Sequence, residues 1–284
     1  MIKNGSKKLV FMGMGLRGGE ICLIFAKKKI MDRIPEALAE FFEHRATVRK
    51  YTDEAPGREL IDSILKAAMR APTTGNMQLY SVIETRDAEM RRKLAALHFN
   101  QPAAAGAPLM LTFCADYYRF TRWCEVSDAD AGYDNLLSLT SAMLDAVILA
   151  QQFVTLAELS GLGTCYLGTC LYNAPEIAEL LRLPRLTVPV VCISVGYPAE
   201  SPEATERLGV EGVLYRETYP ELSDSEVVDI YKAKDDFAPN AKFVAENGKR
   251  NLAQVFTDVR YPRAMNESTS VKLLDFLKAQ GFMK

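Results

Sequence analysis

Residues 44–78, HRATVRKYTDEAPGRELIDSILKAAMRAPTTGNMQ, organise the rest of the chain. The middle of this stretch predicts one amphipathic helix over residues 58–70. The apolar side chains that recur there at helical spacing are Ile61, Ile64, Leu65, Ala68 and Met69. The helix should end before Pro72, because the residue that precedes a proline disfavours helical backbone angles.

Polar residues flank this helix on both sides. Two arginines and a threonine precede it at positions 45, 47 and 49, and the turn-forming run 72–78 follows it. Guanidinium groups pair bidentately with phosphate oxygens. Hydroxyl groups, amides and backbone N–H groups suit a polyol or a heteroaromatic ring edge. The stretch therefore predicts a site for a phosphorylated small molecule. A solvated helix end followed by an ordinary turn is the alternative.

The overall composition is that of a soluble globular protein. The 284 residues include 34 basic and 36 acidic ones, and 49% are hydrophobic. The formal net charge of −2 gives no electrostatic reason to expect nucleic acid or an anionic membrane as a partner. The six cysteines lack C-x-x-C spacing and there are two histidines, so we expect buried free thiols, no metal site and a cytoplasmic location.

The first thirty residues differ from the rest of the chain. Lys7 and Lys8 precede an apolar stretch that residues 17–20 (RGGE) interrupt. Neither half is long enough for a bilayer, which needs about 20 residues. We therefore expect an extension over residues 1–30 and one domain over residues 31–284. A membrane contact by the extension is the alternative.

Apolar runs of strand length alternate with helical patterns, which predicts a layered fold of mixed α and β structure. The longest helical pattern, LLSLTSAMLDAVILAQQFVTLAEL at 136–159, is apolar on nearly every side, and we expect it to run through the middle of a dimer. A final helix is expected over 269–280, whereas residues 200–247 show no strong period. The expected strands are LYSVIET (79–85), PLMLTFCA (108–115), a short one within 161–169, and VPVVCISVGY (188–197).

Common catalytic motifs are missing from the sequence. The glycines at 161, 163 and 168 do not have G-x-G-x-x-G spacing. The sequence also lacks G-x-S-x-G, G-x-x-x-x-G-K-[ST] and H-E-x-x-H. Without an evident acid, base or nucleophile, an enzyme of this kind would take its reactivity from a cofactor.

Four motifs in this order resemble those of the FMN-dependent nitroreductases. They are R-x-T-x-R-x-Y (45–51), RAPTTGNMQ (70–78), GLGTCYLG (161–168) and VGYP (195–198). The chain most resembles the oxygen-insensitive, NADPH-preferring branch that includes flavin reductase P. The resemblance implies an α+β fold with a central, mostly antiparallel sheet wrapped by helices. It also implies a homodimer with exchanged C-terminal segments and FMN at the interface.

The resemblance implies roles for particular residues around the FMN phosphate. Arg207 would be a phosphate-binding arginine, but Thr205 stands where relatives have a lysine, and Ala46 stands where they often have a basic residue. The residues that would hold the phosphate and ribityl chain are Arg45, Thr47 and Arg49.

Further residues would surround the flavin ring. Gln101 corresponds to a glutamine near the flavin. The residues that would line the flavin from the partner subunit are Thr73, Thr74, Gly75 and Asn76. Those that would lie against the ring in their own subunit are Tyr166, Leu167, Gly168 and Thr169. The candidates for the 2′-phosphate of NADPH are Lys249 and Arg250.

The activity implied is an FMN-dependent NAD(P)H oxidoreductase. It would pass two electrons, by ping-pong hydride transfer at flavin N5, to nitroaromatics, quinones or free flavin, with no side chain needed as catalytic acid. One alternative is a flavin-dependent dehalogenase or flavin-fragmenting relative, for which the aromatic segment 116–130 would supply a lid. Another is a non-catalytic FMN-binding protein.

Overall fold

The computed structural model describes residues 34–283, so the extension over 1–30 lies outside the described residues. The strands in this part of the chain are β1 (Tyr80–Thr85), β2 (Leu109–Asp116), β3 (Gly163–Leu167) and β4 (Thr187–Gly196). Its α-helices are α1 (Glu36–Glu43), α2 (Arg58–Ala68), α3 (Ala88–Leu97), α4 (Pro102–Ala105), α5 (Tyr118–Val126), α6 (Leu136–Leu159), α7 (Ala174–Leu180), α8 (Asp224–Asp236), α9 (Ala238–Glu246), α10 (Leu252–Val255) and α11 (Arg263–Gln280).

The four strands form one antiparallel sheet in the order β1-β2-β4-β3. The central strands β2 and β4 are buried along their whole length, which agrees with their continuous apolar sequences. Thr112 of β2 and Leu167 of β3 both lie opposite Cys192 of β4. Helices α6 and α7 pack against the sheet. The predicted α+β fold with an antiparallel sheet wrapped by helices is confirmed.

Helix α6 packs against α2 and β2 along one side. It begins after Asn135, whose side chain caps it by accepting a hydrogen bond from the Ser138 N–H at 3.0 Å. By length and composition α6 could cross a membrane, but 44% of its most apolar 18-residue stretch is buried inside the fold. Another side exposes the apolar residues Leu136, Leu137, Leu144, Val147 and Ile148. This exposed apolar side is the feature that the dimer prediction requires.

The segment over residues 45–51, called here the arginine segment, lies beside the edge strand β3. The Val48 N–H donates to the Thr164 carbonyl at 3.2 Å. Gly163 permits this close approach, because a Cβ atom there would lie 2.7 Å from the Val48 side chain. The edge of the sheet therefore fixes the position of the arginine segment.

Several helices differ from the sequence-based expectation. The final helix begins at Arg263 instead of 269, directly after Pro262 at its N-cap. Helix α8 lies in a region where no period was found. A capping box between Ser223 and Glu226 opens it. None of its side chains is buried, which explains why its sequence lacks an apolar stripe.

The cysteines within the described residues are buried free thiols. This confirms the expectation for five of the six, while Cys22 lies outside the described residues. Burial raises the pKa of the Cys170 thiol well above its ordinary value. Buried, protonated thiols of this kind are chemically inert.

Candidate functional site

Arg45 pairs with a carboxyl group at the end of α6. Its guanidinium donates to both oxygens of Glu158, at 3.0 Å from Nε and 2.9 Å from Nη2. The Thr164 hydroxyl donates to the same carboxyl group at 2.5 Å. Hydrogen bonding to Glu158 holds the pKa of Arg45 above its ordinary value. The charge of Arg45 is therefore already compensated within the fold.

Arg49 is an exposed cation of the arginine segment. Its Nη1 donates to the Thr47 carbonyl at 3.4 Å, a long bond that leaves most of the guanidinium free. The Thr47 side chain is half-buried, with its hydroxyl 3.4 Å from Nη1 of Arg45. Glu200 fixes the backbone here by accepting from the N–H groups of Arg49 and Lys50, at 2.8 and 3.1 Å. This arrangement presents a guanidinium and a hydroxyl group to an anion.

The turn that follows α2 is attached to the middle of α6 through Asp145. One oxygen of this buried carboxyl group accepts from the N–H and the hydroxyl of Thr74, at 2.8 and 2.9 Å. The other accepts from the Leu79 N–H at 3.3 Å. Gly75 and Asn76 have φ angles of +55° and +57°, which these residue types adopt more readily than most. Both are exposed, so a turn of fixed position faces solvent.

A buried histidine that was not predicted as a site residue contacts the predicted residue Thr169, which also contacts the predicted residue Gln101. Nδ1 of His98 lies 2.8 Å from the Thr169 hydroxyl oxygen, and Nε2 of Gln101 donates to the same oxygen at 3.3 Å. The His98 ring is fully buried, and its Nε2 has no hydrogen-bond partner. Burial lowers the pKa of His98 to about 4, so the ring is neutral at neutral pH. Phe99 and Asn100, which follow it, adopt left-handed backbone angles.

Strand β3 offers different groups at neighbouring positions. The hydroxyl of the half-buried Tyr166 donates to Oε1 of Gln151 on α6 at 3.3 Å. Burial raises the pKa of Tyr166 to about 12, so this hydroxyl keeps its proton at neutral pH. The Leu167 side chain is fully buried in the core, whereas Gly168 is exposed. A ligand at this end of β3 would therefore meet the exposed backbone of Gly168.

The fold and the ordered motifs correspond to a known protein family. The model of the family described as "Nitroreductase family" matches residues 42–197, more than half of the chain. The chain belongs to the nitroreductase family. The resemblance stated from the motifs is thereby confirmed.

Individual relatives match nearly the whole described chain. An FMN reductase (NAD(P)H) of Bacillus subtilis strain 168 is 31% identical over 255 residues, which cover 87% of this chain and 98% of the relative. An oxygen-insensitive NADPH nitroreductase of Salmonella typhimurium is 28% identical, covering 84% of this chain and 95% of the relative. A crystal structure from Bacteroides fragilis, designated an oxidoreductase, is 45% identical with a TM-score of 0.84, covering 86% of this chain and all of that one.

Helix α6 supports three parts of the candidate site in this member of the nitroreductase family. Asp145 holds the turn after α2, Gln151 contacts Tyr166, and Glu158 pairs with Arg45. None of these three α6 residues was predicted from the sequence, because each acts on a segment distant along the chain. The available signal was that Asp145 and Glu158 are the only charged residues in α6. One helix thus sets the relative positions of the turn, the end of β3 and the arginine segment.

In the described part of the chain, the remaining predicted cations make local contacts or are exposed. Arg207 donates to the carbonyl and the hydroxyl of Thr205, at 3.2 and 2.6 Å. Lys249 pairs with Asp258 at 2.9 Å, and Arg250 is exposed. Within the described residues, no hydrogen bond or ion pair joins these three cations to the arginine segment. The hydrogen bonds and ion pairs of a single described chain therefore do not link all of the predicted residues.

His98 is expected to make the fold less stable in mild acid. Its pKa falls from an ordinary value of 6.5 to about 4 on folding, so the unfolded chain binds more protons between these pH values. The free energy of unfolding should therefore drop by about 2 kcal/mol from pH 7 to pH 5 on account of this group. Urea unfolding at both pH values checks this, because His98→Asn should lack that part of the loss. An equal loss in both proteins would contradict the prediction.

Proposed function

We propose that this chain is an FMN-dependent NAD(P)H oxidoreductase that passes two electrons to nitroaromatics, quinones or free flavin. The observation that carries the proposal is the similarity to an FMN reductase along 98% of that relative's length. The NADPH nitroreductase relative supports the same donor and a nitro acceptor. NADPH and NADH are both retained as candidate donors.

The described residues fit the chemical groups of FMN. The exposed Arg49 guanidinium and the Thr47 hydroxyl suit a phosphate or a ribityl hydroxyl. The exposed turn at Gly75 and Asn76 offers backbone and amide groups to a ring edge. Thr73 Oγ1 is buried without a hydrogen-bond partner, which leaves a polar atom beside this turn available. Each of the two segments thus carries unused hydrogen-bonding capacity.

Bound FMN would supply the redox chemistry, accepting a hydride from NAD(P)H and returning two electrons to the acceptor in a ping-pong cycle. The chain's own contribution is to orient the cofactor and the substrates. Backbone N–H groups in the Tyr166–Thr169 stretch would donate toward charge that develops on the ring. We assign no side chain as catalytic acid or base, and the raised pKa of Tyr166 keeps its hydroxyl neutral.

The remaining predicted residues are proposed to have the roles that the resemblance implies. Gln101 would lie near the flavin, and Arg207 would supply a cation to its phosphate. For the 2′-phosphate of NADPH, Arg250 is the freer of the two candidates, because Lys249 already pairs with Asp258. Support for the Arg207 assignment comes from its position after the strand that ends in Gly-Tyr-Pro.

We further propose a homodimer that exchanges C-terminal segments. The exposed apolar side of α6 supports it, because a soluble chain gains by burying such a surface. The turn at Gly75 and Asn76 would then serve the partner's flavin, and the arginine segment its own.

The double variant Leu144→Asp, Ile148→Asp is expected to abolish this dimer. Both side chains are exposed one helical turn apart, so two carboxylates would lose their hydration in the interface. Size-exclusion chromatography with light scattering should show a mass change from twice 31.6 kDa to 31.6 kDa. Val126→Asp, a charge at a well exposed site outside α6 and outside the C-terminal segment, is the control and should remain dimeric. A monomeric wild type, or a dimeric double variant, would contradict the proposal.

We also propose the boundaries of the domain and the cellular location of the protein, each from a different observation. Residues 31–284 would form the nitroreductase domain and residues 1–30 an extension outside it. The length of the relatives supports this, since 98% of the FMN reductase is covered by 87% of this chain. The buried free thiols support a reducing, cytoplasmic location. Small molecules are the proposed partners, without nucleic acid or membrane.

The colour and the FMN content of the purified protein test the proposed function. We expect a yellow protein that releases about one FMN per chain on denaturation, or that takes up added FMN in that ratio. The dehalogenase and flavin-storage alternatives predict the same colour but no sustained reduction of a nitro compound with NADPH. A colourless protein that ignores added FMN would overturn the proposal.

A further inference from the structure

The hydroxyl group of Thr169 lies between two nitrogen atoms of the fold. His98 Nδ1 is 2.8 Å from its oxygen, and Gln101 Nε2 is 3.3 Å from the same atom. A hydroxyl oxygen can accept two hydrogen bonds, and its single proton can be donated once. The amide nitrogen of Gln101 can only donate. The protonation of His98 therefore decides whether the Thr169 proton is used inside the fold or stays available to a ligand.

The surroundings of the second ring nitrogen favour one form of His98. The ring is neutral and carries one proton, and its Nε2 is buried without a partner. A proton on Nε2 would be a buried N–H without an acceptor, which folded proteins rarely keep. A proton on Nδ1 is satisfied by the Thr169 oxygen. In that form His98 and Gln101 fill both acceptor positions of the Thr169 hydroxyl oxygen.

We propose that His98 is a positioning residue whose Nδ1–H form holds the Thr169 hydroxyl as a hydrogen-bond donor to bound flavin. The inference rests on the proposed function. Thr169 is half-buried and follows the exposed Gly168, so a ligand at the end of β3 can approach it. Carbonyl oxygens and unprotonated ring nitrogens of a flavin are acceptors for such a proton. A fixed donor stabilises the negative charge that they gain on reduction.

Histidine-selective ¹⁵N NMR tests the form of His98 without any cofactor. The chain has two histidines, and His44→Gln assigns their signals. On untagged protein at pH 7, we expect His98 to show a protonated Nδ1 and an unprotonated Nε2. Thr169→Val removes the acceptor and should move the proton population away from Nδ1. A protonated Nε2 in the wild type, or a charged ring, would overturn the proposal whether or not the protein binds FMN.

Flavin binding tests the role of the Thr169 proton. Thr169→Val keeps the side-chain shape and should weaken FMN binding about two- to tenfold, the worth of one hydrogen bond. It should also make the midpoint potential of bound FMN more negative. Thr169→Ser should match the wild type in both measurements. His98→Asn, whose amide can replace Nδ1–H, should bind FMN more tightly than His98→Leu.

The outcomes separate this inference from the proposed function. Equal FMN affinity and equal potential in the wild type and Thr169→Val would overturn the inference while FMN binding itself stood. A wild type that binds no FMN would overturn the proposed function, and with it the flavin part of the inference. The NMR result on His98 would stand in either case.

Discussion

The Asp145→Ala variant is expected to lose about 3 kcal/mol of unfolding free energy and to bind FMN at least tenfold more weakly. Asp145 is buried, and its carboxyl group accepts three hydrogen bonds from Thr74 and Leu79. Removing it leaves the buried Leu79 N–H without an acceptor and frees the turn from α6. The variant should therefore have a lower free energy of unfolding, and its turn after α2 should no longer be held in a fixed position.

Two variants of the same helix separate this effect from general damage to α6. Asp145→Asn keeps one acceptor oxygen for Thr74 but places an amide donor against the Leu79 N–H, so an intermediate loss is expected. Thr140→Ala removes an exposed hydroxyl that bonds only within the helix, and should change stability by less than about 0.5 kcal/mol. Urea unfolding and fluorescence titration with FMN provide both quantities. If Asp145→Ala is as stable as Thr140→Ala, Asp145 does not anchor the turn.

Arg45→Ala and Arg49→Ala are expected to affect different properties, stability and FMN binding respectively, although the residues lie only four positions apart. Arg45 is bound to Glu158 by two hydrogen bonds, so its removal should lower the unfolding free energy by about 2 kcal/mol. Arg49 is exposed, so its removal should leave stability within about 0.5 kcal/mol. Arg49→Ala should instead weaken FMN binding about 10- to 100-fold, as expected for a charge-assisted contact.

The same two measurements, made on both variants, decide between these roles. Arg49→Lys is a useful third variant, because it keeps the charge but loses the bidentate geometry of the guanidinium and should recover part of the affinity. A comparison of FMN with riboflavin locates the effect, since Arg49→Ala should weaken FMN more than riboflavin if the contact is with phosphate. Equal losses for the two flavins would place Arg49 elsewhere in the site.

The central strands and the longest helix could be predicted because their sequences are dictated by burial. β2 and β4 are buried on both faces and read as continuous apolar runs, and α6 is apolar over most of its surface. Helix α8 escaped prediction because it buries no side chain and therefore carries no apolar period. Its signal was local, in the Ser223 and Glu226 capping box.

The candidate site likewise contains residues that the sequence could indicate and residues that it could not. Arg49, Thr47 and the turn after α2 could be selected because cations, hydroxyls and left-handed turn residues are visible in a local motif. The residues that hold them in place could not be predicted. Asp145 bonds to Thr74 from 71 positions away along the chain, and Glu158 bonds to Arg45 from 113 positions away. In the sequence, His98 was considered only as one of two histidines, which were too few to indicate a metal site. Its role follows from burial and from the distance to Thr169, which no local pattern contains.

Anaerobic titration of the FMN-loaded protein with NADPH tests the central claim most directly. We expect the visible flavin absorbance to disappear with about one NADPH per bound FMN, and to return when a nitroaromatic compound or a quinone is added without oxygen. A parallel titration with NADH measures the donor preference. A protein that binds no FMN, or bound FMN whose absorbance neither NADPH nor NADH changes within minutes, would contradict the account.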